Sequence, residues 1–411
     1  MGQKRLTSSN YTQQWPDFLK KAASKAVECK EDIYKPLVIP GSELKELIST
    51  YPIFEVADNY DEQLAELFIS ENAQLYKAVR EVQSSSIRDY LKKHYSDMDA
   101  WRKGNWAYYP WNATLVHLLE EELWWKLRTV RNQILMTNEE QKKYTSFKVG
   151  CAGMSVGSNG AAALVLTSGS KDLKIADGAV LSGSNLNRLR GKVSDIGLNK
   201  AIVMARQFYE LNPYLTLEAM SENLSADNIE NFFDKPWPLN LIVDEIDDLE
   251  TKILIRLEAK KRQIPVVMVT EPGDTVILDV ERYDLDPNLP IFHGLVPGFE
   301  EVLKKDKLNQ REFVKFAMKI IGVKNLPLRD QKAMIKVGSQ IPSPPQLGST
   351  AMLAGGVIAF AIRKIATGDN FKSGRQVLNL EHEFIKGAKS IQNRLAHSKH
   401  SKIMTKAMRS M

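Results

Sequence analysis

The sequence predicts an α/β fold: a Rossmann-like, mostly parallel sheet with helices on both faces, plus a small N-terminal α/β or helical module. Three observations predict it. Residues 147–190 run as strand, glycine turn, alanine-rich helix, strand and acid, the order of a nucleotide-binding βαβ unit. Over 199–270, segments of helical spacing alternate with short apolar strands, which implies a parallel sheet covered on both faces. Before residue 125 the same alternation recurs on a smaller scale.

Residues 1–36 are polar, with Tyr11 and Trp15 as isolated anchors. PLVIPG reads as a strand, and SELKELISTY as a helix with Ser42 at its N-cap. IFEVAD is a second strand, and 61–76 and 87–94 carry helical spacing. Residues 1–125 thus form a module that either docks a peptide or covers one edge of the main sheet. The stretch 101–125 holds five of the seven tryptophans. Such a concentration suits a binding surface, and suits a packing seam between domains better. His117, in LVHLL, is expected on an apolar helix as a hydrogen-bonded core histidine. Residues 127–147 read as a charged helix and connector, with Arg128 and Arg131 as its notable charges.

The core, 126–300, is organised around the glycine turn. Its first strand ends in Gly150, Ala152 and Gly153, and the turn runs through Ser155, Gly157 and Ser158. Glycines let a backbone approach a phosphate, and a helix N-terminus offers free N–H groups. Asp177, 20 residues beyond Gly157, stands where a ribose acid belongs. The turn is not a clean G-x-G-x-x-G, because Ala152 and Ser155 occupy glycine places. Alone, it also reads as a tight turn with no ligand. Further on, 199–211, 227–233 and 249–263 are expected helical, and 215–219, 239–243 and 264–270 are expected strands. A further, antiparallel strand is expected over 275–283. Residues 301–340 form a lysine-rich helical insertion. Residues 341–384 bring a closing helix (349–366) and a last strand, and 385–411 a basic tail.

Composition limits the partners. Hydrophobic content of 43% and charged content of 26% are ordinary for a soluble protein. No apolar run approaches about 18 residues, so no membrane span is expected. The N-terminus lacks a signal-peptide core, and Leu6 stands where a myristoylation signal needs Ser or Thr. The expected location is cytoplasmic. The two cysteines, Cys29 and Cys151, exclude a disulfide framework and a four-cysteine site, so no structural zinc is expected. Cys151 reads as a small residue in a tight turn rather than a reactive thiol. The net charge of +6 is local. Seven lysines and arginines follow Glu383 with no acid among them, and the rest of the chain is near neutral. Without interleaved aromatics, that tail implies no specific nucleic acid.

Four features fall at the C-terminal ends of strands, where open α/β sheets bind ligands. They are the glycine turn, Ser184-Asn185-Leu186-Asn187-Arg188, Lys200, and the run Asp244-Glu245-Ile246-Asp247-Asp248. Cations neutralise a triphosphate and a carboxylate holds Mg²⁺, so the set suits phosphate chemistry. Hydride transfer has no use for it. Singly, each has a plainer use. Lys200 could be a solvated helix-start residue, Arg188 could pair with Asp195, and Asp244 or Asp247 could cap the helix near Leu249.

The strings IADGAVLSGSNLNR, GLNKAIVMARQFYELNP, LIVDEIDD and RQIPVVM stand together in this chain. RTVRNQILM lies upstream, and PPQLGSTAMLAGGVIAFAIRKIATG downstream. Together they resemble the ThiF-type, ubiquitin-activating-enzyme-like adenylyltransferases over residues 125–380, in a long form with an N-terminal extension. The resemblance implies ATP and Mg²⁺. It also implies attack of a protein or peptide carboxylate on the α-phosphate, giving an acyl-adenylate and pyrophosphate. The substrate would be a ubiquitin-like carrier's C-terminus or a precursor peptide. By the same resemblance, Gly153, Ser155 and Gly157 would line the nucleotide, Asp177 would hold the ribose, and Asn185 would shape that edge. Arg188 and Lys200 would contact phosphates, and Asp247 would serve the metal and the reacting phosphate. Arg131 would reach into the neighbouring subunit's site, which implies a homodimer.

This chain departs from the pattern. Ala179 stands where a second acid is common, the glycine turn is depleted, and neither CxxC pairs nor a thioester-region cysteine is present. Adenylation is therefore the one step expected. Two other readings stay open. A non-catalytic adaptor of the same fold would fit Ala179 and the thin glycine turn. An NAD-dependent Rossmann oxidoreductase would leave Arg188 and Asp247 without a task.

Overall fold

The computed structural model describes residues 32–299 and 310–410. Tyr11, Trp15, Cys29 and the start of the expected insertion lie outside them. The chain divides into two compact units, Met1–Arg131 with Ala205–Tyr214, and Asn132–Met204 with Leu215–Met411.

The first unit is built on a sheet of strands β1 (Leu37–Pro40), β2 (Glu55–Asp58), β3 (Asn105–Tyr109) and β4 (Thr114–Leu118) in the order β1-β3-β4-β2. Helices α1 (Leu44–Thr50), α2 (Tyr60–Glu71), α3 (Arg80–His94) and α4 (Glu121–Thr129) accompany it. Ser42 does not cap α1. It lies inside a single 3-10 turn, Gly41–Glu43, and the cap position falls to Glu43 with no side-chain bond. The chain is pinned there because a Cβ on Gly41 would stand 2.6 Å from the Arg102 backbone.

His117 lies on a strand, not a helix. In β4, Leu115 and His117 turn inward together, a period of two that puts His117 opposite Trp106 of β3. Its ring stacks 4.2 Å from Trp106 and 4.5 Å from Tyr60. Nδ1 is 2.8 Å from the Asp58 carboxylate and Nε2 is 2.7 Å from the Lys103 carbonyl. Both nitrogens are satisfied, so His117 is a core histidine. The tryptophans likewise serve this unit's own packing. Trp106 is buried with Trp101 against it, and Trp111 and Trp124 donate to Glu210 (2.6 Å) and Asn212 (2.9 Å).

The second unit carries α5 (Asn138–Ser146), β5 (Val149–Ala152), α6 (Gly157–Leu166), β6 (Asp172–Ala176), the start of α7 (Lys200–Leu211), β7 (Thr216–Met220), α8 (Ile229–Asp234) and β8 (Leu241–Asp244). It continues with α9 (Leu249–Lys261), β9 (Val266–Thr270), β10 (Thr275–Glu281), α10 (Gln310–Ile321), α11 (Leu328–Met334), α12 (Gly348–Ala366), β11 (Gly374–Asn379), α13 (Leu380–Phe384) and α14 (Ile391–Ser410). Among the described residues the sheet has seven strands in the order β11-β10-β9-β8-β5-β6-β7. The pairs from β9 through β8, β5 and β6 to β7 are parallel, and β10 is antiparallel to both β9 and β11. Strand order reverses beside β5, the place where such sheets bind ligands.

Helix α12 covers one face, packed on α6 and β9. Glycine permits the close crossing, since a Cβ on Gly160 would meet Ile358 at 2.9 Å and one on Gly355 would meet Asn159 at 2.5 Å. By length and composition α12 is long and apolar enough to cross a membrane, contrary to the expectation that no such segment exists. Counting consecutive apolar residues overlooks it because the run from Ala351 to Ile362 is bounded by Thr350 on one side and by Arg363 and Lys364 on the other. Here Ala351, Ala354, Ile358 and Ile362 are buried against protein.

The opposite face is filled from α8 and α9 by Phe232, Phe233, Ile253 and Ile255, with Tyr283 and Phe292. Two cations are buried in it. Lys174 Nζ donates to the carbonyls of Phe232 (2.8 Å) and Trp237 (2.6 Å). Arg256 lies between Asp244 (2.5 Å) and Glu281 (2.7 Å), 3.7 Å from the centre of the Phe292 ring.

Candidate nucleotide-binding site

β5 ends at Ala152, and Gly153 turns with φ +92°. A Cβ there would be strained and would stand 2.4 Å from the carbonyl oxygen of Glu245, so this glycine is required by the neighbouring turn whether or not a ligand binds. Gly157 opens α6, its Cβ position 3.2 Å from the Glu245 side chain. The Gly153 N–H donates to the Ala176 carbonyl (2.8 Å), which locks the turn to the end of β6.

Asp177 follows β6 directly. One oxygen accepts the Met154 N–H and the other the Ala179 N–H, each at 2.8 Å, and Lys200 Nζ stands 4.0 Å away. Lys200 is therefore no solvated helix-start residue, and its side chain is only 13% exposed. Its position is set by Asn199, whose amide donates to the Asp177 and Ser221 carbonyls (2.8 and 3.2 Å) while its oxygen accepts the Ile202 N–H (3.2 Å). Asn199 was not among the expected site residues, although an asparagine just before a helix start is an N-cap signature.

Arg188 does not pair with Asp195, whose carboxylate accepts the Lys192 N–H at 2.9 Å. Its Nε donates to Ser155 Oγ (3.1 Å) and its Nη1 to Asn187 Oδ1 (2.9 Å), joining the 184–188 turn to the glycine turn. Buried Asn185 holds that turn, its side-chain oxygen accepting the Ser182 N–H at 3.0 Å. A Cβ on Gly348 would stand 2.0 Å from the Asn187 carbonyl oxygen, so the start of α12 rests on the same turn.

The acidic run divides its labour. Asp244 is buried on Arg256 and Lys252 (2.5 and 3.1 Å). Burial pushes its pKa up, but those two cations outweigh burial and hold the carboxyl below its ordinary value. Asp248 caps α9 by accepting the Thr251 N–H at 2.8 Å, so the cap is neither Asp244 nor Asp247. Asp247 is exposed and, among the described residues, makes no hydrogen bond or ion pair.

Two further carboxyls join the site: Glu245, inside the acidic run but given no role there, and Glu271, which carried no sequence signal. Glu245 accepts the Val269 N–H (2.7 Å) through Oε1, and burial and then Glu271 push its pKa well above the usual range. Glu271, just past β9 and 7% exposed, accepts from the Gln346 amide at 2.7 Å. Burial raises it, Asp247 raises it further, and Arg188 opposes both. Glu271, Asp247 and Arg188 thus share one electrostatic neighbourhood. Cys151 is fully buried in β5, where burial pushes its thiol up and leaves it unreactive. Among the described residues, no group of three or more His, Cys, Asp or Glu side chains is placed to hold a metal ion. Arg131 is exposed on the 3-10 turn Val130–Asn132 of the first unit.

A parallel sheet that gathers a glycine turn, an acid, an arginine and a lysine at its switch point defines a Rossmann-like protein built for nucleotides. The chain belongs to the ThiF family, which residues 129–401 match. It is 36% identical over 270 residues to the uncharacterized protein MT1398 of Mycobacterium tuberculosis, covering 66% of this chain and 37% of that protein. It is 27% identical over 165 residues to the tRNA threonylcarbamoyladenosine dehydratase of Bacillus subtilis, covering 38% and 64%. The chain therefore spans less than two thirds of either relative's length. Similar solved structures include E. coli MccB with AMPCPP and MccA, at 16% identity and a TM-score of 0.41 over 61% of this chain and 71% of that one. E. coli tRNA N6-threonylcarbamoyladenosine dehydratase with AMP gives 15% and 0.43 over 59% and 96%.

Proposed function

We propose that this protein is an ATP-dependent adenylyltransferase, working as a cytoplasmic homodimer, that activates a carboxylate of a protein or peptide. The observation that carries the reading is the division of labour among the aspartates. Asp244 and Asp248 are committed to the fold, while Asp247 stands exposed and, among the described residues, unpaired, in the electrostatic neighbourhood of Arg188. A structural cluster would use all three.

Arg188 and Lys200 supply positive charge to the phosphates of ATP, and Asp177 keeps lone pairs for the ribose hydroxyls beyond the two amides it already accepts. Asp247 fits Mg²⁺, an ion that is commonly held by one carboxylate together with substrate phosphates and that neutralises phosphate charge when bound. The substrate carboxylate attacks the α-phosphorus, the bond to the bridging oxygen breaks, and pyrophosphate leaves with that electron pair. Arg131, on its exposed turn, would serve the second protomer's site.

Pyrophosphate–ATP exchange on the purified chain, with candidate carrier proteins and precursor peptides, tests the reading. Absence of exchange together with absence of ATP binding by calorimetry would overturn it in favour of a non-catalytic adaptor. The name of the B. subtilis relative favours tRNA as a second substrate class, and exchange stimulated by tRNA but by no peptide would establish it.

A further inference from the structure

Strand β11 closes one end of the seven-stranded sheet. One of its edges pairs with β10, and among the described residues no strand pairs with the other. Natural edge strands are usually blunted by charge or proline. Here the strand reads GRQVLN, and its one charge, Arg375, is turned inward onto Asp279 at 2.8 and 2.9 Å. Val377 and Leu378 are 46% and 38% exposed.

A cavity of about 540 Å³ opens beside this strand, and Val377 and Asn379, which share one face of it, form part of the wall. Its lining carries Lys324, Arg329, Lys386 and Arg394 against one acid, Glu381. None of the four cations is in an ion pair with a described residue. An enclosure of this size suits a side chain or a small group, and its uncompensated charge selects an anion. The rest of the wall mixes aliphatic residues, including Leu326 and Ile385, with asparagines and the rings of His382 and His397, and has no Phe, Tyr or Trp. Single-stranded RNA is read by stacking its bases on rings; this wall lacks Phe, Tyr and Trp, and of its two histidines His397 is held at 2.9 Å by both Gln331 and the Leu326 carbonyl.

We propose that the free edge of β11 and this cavity dock an extended acidic peptide segment. The segment's main chain adds to the sheet, and one of its carboxylates enters among the four cations. The topology gives the dock a direction. β11 runs parallel to β9, because each is antiparallel to β10, and Asn379 lies opposite Thr275 at the edge where β9 ends and Glu271 follows. A segment bound parallel to β11 leaves the sheet at the edge that carries Asp247. Four strand spacings of about 4.8 Å separate a segment on the outer edge of β11 from β8, so roughly six further extended residues span the distance. That last step rests on the adenylation reading; the docking does not.

The test is fluorescence anisotropy on the full chain without ATP, so that failure of docking and failure of adenylation are separate results. The probe is a labelled ten-residue peptide alternating valine and glutamate. Saturable binding is expected, weakened at least tenfold by N-methylation of alternate peptide bonds and by the double variant Lys386→Glu with Arg394→Glu. Both positions are exposed, and the double variant should instead bind the valine–lysine peptide, which shows that it is folded. Absence of binding, or binding indifferent to N-methylation or to the double variant, would overturn the proposal. So would oligo(U) or phosphatidylglycerol vesicles binding through the same two residues when the peptide does not.

Discussion

Lys200 Nζ stands 4.0 Å from the carboxylate of Asp177, and both side chains are nearly buried, at 13% and 11% exposure. The pair fastens the start of α7 to the end of β6, at the crevice where a nucleotide would lie. Among the described residues the Lys200 side chain makes no other ion pair or hydrogen bond. Lys200→Ala is therefore expected to weaken ATP binding at least tenfold by calorimetry while shifting Tm by only a few degrees.

Asp177→Ala should behave differently. It leaves the Met154 and Ala179 amides without their acceptor, so destabilisation of about 1–3 kcal/mol in urea should accompany loss of ATP binding. Equal stability of the two variants would mean that Asp177 does not brace the glycine turn.

Among the described residues, Arg256 is the one cation that touches both buried Asp244 and Glu281. Arg256→Met leaves buried Glu281 without its cation and Asp244 with Lys252 alone, and should cost about 3–5 kcal/mol of unfolding free energy. Because Asp244 immediately precedes the acidic turn, ATP affinity should fall even at temperatures where the variant is folded.

Stability should depend on pH through Asp330, whose carboxylate lies over Gly273. Burial first, then Asp274 and Glu381, push its pKa up to about 6 from an ordinary value near 3.8. The sign follows from linkage. The folded state binds this proton more tightly than the unfolded state, so the contribution is complete below the ordinary value and is lost as pH rises from about 4 through 6. Glu245 and Glu271 are raised as well and act in the same direction. Asp330→Asn should flatten the profile in that window and raise stability at pH 7, as read by urea midpoints. An unchanged profile would show that Asp330 ionises freely.

The main sheet is legible in the sequence because buried parallel strands are written as uninterrupted apolar runs, such as Val266–Thr270, set between helices of steady spacing. His117 was harder. Thr114–Leu118 is too short to separate a period of two from one of 3.6, and only its pairing with β3 decides it. The roles within Asp244–Asp248 were illegible for another reason. A cap, a buried ion pair and a free ligand group all use the same residue, and only packing against Thr251 and Arg256 tells them apart. Glu245 and Glu271 take their raised pKa values from burial, which arises when the ends of β8 and β9 come together in space.

Asp247 decides the central claim. Pyrophosphate–ATP exchange should fall by at least a hundredfold in Asp247→Ala with Tm unchanged, because this side chain makes no hydrogen bond or ion pair among the described residues and, on the proposed reading, serves the metal and the reacting phosphate. Asp248→Ala should show the reverse pattern, losing about 1 kcal/mol of stability with the cap of α9 and retaining exchange. Full exchange activity in Asp247→Ala would contradict the assignment of phosphate chemistry to this turn.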